Sequence, residues 1–222
     1  MQFLRNVILF LLFALLVQTV SAEITIQIPD KFEYNLGETL AASVSVKEGA
    51  EISGFFKVQI MCENNDILYY VSPLSVDENT RLEVPIPEIR IPEGAKGICK
   101  LRADFEKGNG DTISAAFSKQ FSVSDSILIS VDENNKIKPG DTIVIAAGIV
   151  KENGETMEEG TATISFNDYK STVPFANGKL THTIDVGYVP RGFYALKIVV
   201  NDKHGNKGEM VTQLEIIGVA KR

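Results

Sequence analysis

Few residues of this chain have the type and spacing to do chemistry, and each has a plainer reading beside it. Two cysteines, Cys62 and Cys99, could pair, or could be two buried thiols making a core contact. Two histidines, His182 and His204, have no serine, cysteine or carboxylate at a spacing that builds a triad or a metal site, so both read as structural. Glu158 and Glu159 would need to face each other across a cleft to do acid–base work, and as neighbours in sequence they read as solvated. Asp132, Glu133, Asn134 and Asn135, with Asp202 and Asn206, supply hard oxygen atoms of the kind that hold Ca²⁺, but their spacing matches no EF-hand loop and Asn/Asp-rich turns are common. The doublet Tyr69 and Tyr70 would put one ring on each face of a strand; the outward ring could stack on a sugar or a partner, or pack across the strand. No catalytic, cofactor-binding or metal-binding residue is assigned, and no cofactor is expected.

The elements that position these residues are read from alternation. Tyr194, Leu196, Ile198 and Val200 alternate with other residues before the turn at Asn201–Asn206, and a second strand follows at Val211–Ile217. The same hairpin design occurs earlier, with Gly97–Phe105, the turn Lys107–Asp111 and the strand Ile113–Val123. Between these points the strand order repeats. Ile24, Ile26 and Ile28 match Ile127, Ile129 and Val131; Leu36-Gly37-Glu38-Thr39 matches Pro139-Gly140-Asp141-Thr142; Lys47-Glu48-Gly49 matches Lys151-Glu152-Asn153-Gly154. Phe56, Val58 and Ile60 match Ala162, Ile164 and Phe166. Pro85, Pro87 and Pro92 lack an N–H, which places the fifth strand, Leu82–Ile91, at a sheet edge or leaving it early. No helical periodicity is sustained in either half.

About seven short strands per roughly 100 residues, with turn signals every 8–12 residues, is the pattern of a two-sheet sandwich. The repeat resembles the immunoglobulin-like and fibronectin-III-like modules of extracellular proteins, and among them the macroglobulin-type and bacterial surface-repeat varieties. The residues that carry the resemblance are Pro139-Gly140-Asp141-Thr142, Asn153-Gly154 with Gly160, and Pro190, Gly192, Tyr194 and Leu196 with Asp202, Gly205 and Asn206. The expected fold is all-β: two tandem seven-stranded Greek-key sandwiches, residues 23–124 and 125–217, with a short tail at 218–222. The chain departs from antibody-type domains in having no Trp, and it lacks a Cys-Gly-Glu-Gln thioester sequence. In such a sandwich the strands ending at Cys62 and beginning at Cys99 are antiparallel neighbours, which implies a Cys62–Cys99 disulfide.

Residues 1–22 read as a signal peptide. Arg5 precedes the apolar run Val7–Val17, and Val20-Ser21-Ala22 ends in a small residue suited to cleavage before Glu23. The run is shorter than a bilayer requires, so an uncleaved anchor is the weaker alternative. The formal charge of −7 gives no electrostatic reason to bind nucleic acid, and the acidity sits mainly in the first half, with 16 acidic and 10 basic residues in 23–124 against 13 and 11 in 125–222. The sequence therefore points to a secreted or cell-surface, non-enzymatic interaction or spacer protein whose partner is a protein or a surface glycan. The competing reading is a carbohydrate- or small-ligand-binding module, with Tyr69 and Tyr70 as contacts; the absence of Trp weighs against it.

Overall fold

The computed structural model describes residues 23–131, 136–187 and 189–218, and every regular element among them is a β-strand. The expected signal peptide at 1–22, the run Asp132–Asn135 and residues 219–222 of the expected tail lie outside the described residues.

Residues 23–124 carry β1 (Glu23–Gln27), β2 (Glu33–Asn35), β3 (Thr39–Leu40), β4 (Ser43–Lys47), β5 (Ile52–Cys62), β6 (Asn65–Val76), β7 (Arg81–Val84), β8 (Ile89–Arg90), β9 (Gly97–Glu106), β10 (Thr112–Phe117) and β11 (Phe121–Ser124). One sheet has the order β1-β4-β7 and a second has the order β2-β11-β9-β5-β6 with β10 on β9, while β3 and β8 pair separately. The core between the sheets follows from alternation. The pairs Phe56↔Phe105, Val58↔Ala103 and Ile60↔Leu101 across β5 and β9 are all buried, and Val44 and Val46 of β4 meet them from the other sheet. Proline acts as expected: β7 is an edge strand that ends at Val84, where Pro85 and Pro87 take the chain out of the sheet.

Residues 125–218 carry β12 (Ile127–Val131), β13 (Lys136–Ile137), β14 (Thr142–Lys151), β15 (Glu159–Phe166), β16 (Tyr169–Ala176), β17 (Lys179–Asp185), β18 (Gly192–Asn201) and β19 (Lys207–Ile216). These form one sheet in the order β12-β14-β17-β16-β15-β18-β19-β13. It folds back on itself at the turn Asn177–Gly178, where β16 and β17 are joined only through Ala176↔Lys179. Ile145, Leu180 and Ile184 from one arm then pack on Ile164, Leu196 and Ile198 from the other.

The two units repeat one pairing scheme. β1-β4-β7 corresponds to β12-β14-β17, and β2-β11-β9-β5-β6 to β13-β19-β18-β15-β16, down to the parallel pairs β2–β11 and β13–β19. The count of seven strands per unit is not what is found: the described residues hold eleven and eight. Long alternating runs are cut where the backbone changes partner. The run expected as Leu82–Ile91 splits at its prolines into β7 and β8, and that expected as Ile113–Val123 splits into β10 and β11 at Ser118, whose hydroxyl accepts the Leu101 N–H.

Candidate functional site

Three of the turns in the repeat converge where the two units meet. The turn after β2, Leu36–Glu38, abuts the β18–β19 turn, Asp202–Asn206, and the residues after β14, Lys151–Glu155. Each turn is shaped locally. Asp202 accepts the backbone N–H groups of His204 and Asn206 at 2.8 and 2.9 Å on one oxygen, and the Asn206 side chain at 2.6 Å on the other. That leaves the rest of the Asn206 amide facing the first unit. Its Nδ2 donates to Leu36 O at 2.9 Å and its Oδ1 accepts Leu36 N–H at 3.1 Å, so one side chain reads both backbone polar groups of one residue across the junction. Asn35 Nδ2 donates in turn to Ser126 O at 3.0 Å, and Asn35 and Asn206 are both 1% exposed. Buried polar groups are costly unless satisfied, and here the two asparagines satisfy one another's surroundings across the junction.

Around the buried amides lies a ring of charge. Lys31 bridges Glu38 at 2.7 Å and Glu155 at 2.9 Å, and Lys151 bonds the same two carboxylates. The two ammonium groups push the Glu155 carboxyl down to about 2 through their hydrogen bonds. Lys31 and Lys151 are in turn raised, their bonds to Glu38 and Glu155 outweighing the opposing effect of burial. Asp125, in the connection itself, pairs with Lys96 at 2.7 Å and is lowered by that bond. Ser124 bonds Glu152. A cleft of about 480 Å³ opens beside these groups, lined by Glu38, Arg90, Lys151, Glu159, Lys203 and His204 among others. Glu159 is held by Lys203 at 2.8 Å and lies below its ordinary range for that reason.

Asp202 and Asn206, considered above for Ca²⁺, have their oxygen atoms committed to the turn and to Leu36, and no group of three or more His, Cys, Asp or Glu suited to a metal occurs among the described residues. Asp132–Asn135 lie outside those residues. His204 packs its ring against Gly37, and His182 Nε2 lies 2.6 Å from the Tyr169 hydroxyl. Cys62 and Cys99 face each other in the β5–β9 register and form a disulfide.

The expectation of one tyrosine ring on each face of a strand needs correcting. A bulge between Val58 and Gln59 sets Tyr70 opposite Val58 and Leu68 opposite Gln59, leaving Tyr69 as the extra residue. Both hydroxyls consequently reach one segment: Tyr69 donates to Glu88 O at 2.7 Å and Tyr70 to Pro85 O at 3.3 Å.

The junction was only partly visible in the sequence. Its turns were, but the burial of Asn35 and Asn206 depends on contacts 171 residues apart, and no local pattern marks it.

The chain is an all-β, β-sandwich-like protein with one disulfide among the described residues. No family model and no curated protein matches the sequence. Among solved structures, a bacterial ice-binding adhesin of 1.5 MDa, studied for host cell surface retention, is 13% identical with a TM-score of 0.38, over 90% of this chain and 66% of that one. Salmonella alpha-2-macroglobulin reacted with methylamine is 11% identical with a TM-score of 0.35, over 88% of this chain and 16% of that one. A β-glucosidase from Listeria innocua is 14% identical with a TM-score of 0.31, over 47% and 16%. The chain thus spans less than two thirds of the length of each.

Proposed function

We propose that this chain is an exported, non-enzymatic protein of two tandem immunoglobulin-like sandwiches, acting outside the cytoplasm as a rigid spacer and interaction module. The observation that carries the reading is the junction, where Asn206 binds both polar groups of Leu36 inside a ring of ion pairs. A linked pair of independent binders needs no such lock, whereas a spacer that presents outer faces and loops at a set distance does. The Cys62–Cys99 bond fits an oxidising compartment. Its partner is a protein or a surface glycan met by the outer faces of the sandwiches. Fractionation of the native cells with sequencing of the mature N-terminus tests the proposal. A protein that begins at Glu23 outside the cytoplasm, with both cysteines oxidised, is the expected result. A cytoplasmic chain with free thiols contradicts it.

A further inference from the structure

Residues 23–124 leave six large apolar side chains exposed, and five stand on one sheet face: Phe55 on β5, Leu68 and Val71 on β6, Ile98 on β9 and Phe117 on β10, each 43–56% exposed. The register fixes this. Lys57 pairs with Val71 and Asp104, Gln59 with Leu68 and Arg102, and Arg102 with Phe117, all on the side of the sheet opposite to Phe56, Val58 and Ile60. Charges within the face are neutralised inside it. Arg102 Nε and Nη2 both lie 2.8 Å from Asp104 Oδ1, Lys57 pairs with Glu106, and Lys100 Nζ sits 4.1 Å from the centre of the Phe117 ring.

The second unit supplies an internal control, because it builds the corresponding face from β16, β15, β18 and β19. There the outward positions include Thr163 bonded to Thr172 at 2.9 Å and Lys197 paired with Glu209 at 2.8 Å, with Phe193 and Val211 the exposed large apolar residues. The architecture therefore does not demand an apolar outer face. Five exposed large apolar side chains on this face of the first unit, against two on the corresponding face of the second, mark a binding surface.

We infer that the outer face of β6-β5-β9-β10 docks a second copy of this chain, the same face on each copy, about a two-fold axis. Charge selects this occupant. The chain carries −7 overall, so two copies carry a net mutual repulsion. This face balances Lys57, Lys100 and Arg102 against Asp66, Asp104 and Glu106, so it can meet itself without a net like-charge contact, as a self-complementary interface requires. The inference needs only the sheet face and stands whether or not the chain is exported.

Sedimentation velocity over a concentration series tests it, using the purified protein, Leu68→Glu, Phe117→Lys and, on the corresponding face of the second unit, Phe193→Lys. The expected result is a monomer–dimer equilibrium weakened at least about tenfold by Leu68→Glu or Phe117→Lys and unchanged by Phe193→Lys. Thermal melts check that the variants remain folded. A monomer at every concentration overturns the inference, leaving the face to a different partner. So does a dimer that neither face variant weakens, or one that Phe193→Lys weakens as much.

Discussion

Gly37 and Gly140 occupy the same place in the two repeats and hold the same left-handed backbone, with φ of 80° and 85°. Each donates its N–H across the loop at 2.8 Å, to Ile91 O and Gly187 O. They differ in what lies above them: a Cβ on Gly37 would stand 2.2 Å from His204 Cγ, whereas one on Gly140 would meet nothing. Gly140→Ala should therefore cost only the backbone term, about 1–2 kcal/mol, and Gly37→Ala that amount plus the clash, about 1–3 kcal/mol more. Denaturant melts of both variants, and of Gly37→Ala combined with His204→Ala, check this; the double variant should recover the excess and not the rest. A second residue-scale prediction concerns acid. Because Glu155 is pushed down to about 2 in the folded protein from an ordinary 4.5, its ionised form is the one the junction holds. Its contribution is complete above about pH 4.5 and fades as pH falls toward 2. Half of its side chain is exposed, so the effect is modest. Titrating the separation of fluorophores placed on the two units should show loosening in that window, and Glu155→Gln should remove most of the dependence.

At the scale of elements, the disulfide ties β5 to β9 across a separation of 37 residues. Loop closure of that size stabilises by about 4 kcal/mol in the chain-entropy view. Replacing both cysteines by Ala should lower the melting point of the first unit by roughly 15 °C or more, leaving the second unit's transition in place; differential scanning calorimetry resolves the two. These elements were largely legible. Alternation located Phe56, Val58 and Ile60 in the core, and the prolines gave the edge strand β7. What escaped was whatever depends on a neighbour's register. The bulge at Tyr69 and the break at Ser118 arise because β5 and β9 offer partners that a single strand cannot announce. For the same reason Leu36–Glu38 read as an ordinary turn, although it is also the surface that Asn206 grips.

For the whole molecule, the apolar cores are separate, one built from residues 34–123 and the other from 127–216, while the junction between them is mainly amide and charge. Residues 125–218 should accordingly fold alone, giving a cooperative β-type melt by circular dichroism; an aggregating, non-cooperative product would mean that the junction serves as a shared core. Whether the junction makes one rigid body of two separately folding units is read from ¹⁵N relaxation of the purified protein. A single overall correlation time is expected for amides of both units, splitting into two shorter ones in Asn206→Ala, which leaves the polar groups of Leu36 without their partner. Two independent correlation times in the unaltered protein would contradict a rigid junction.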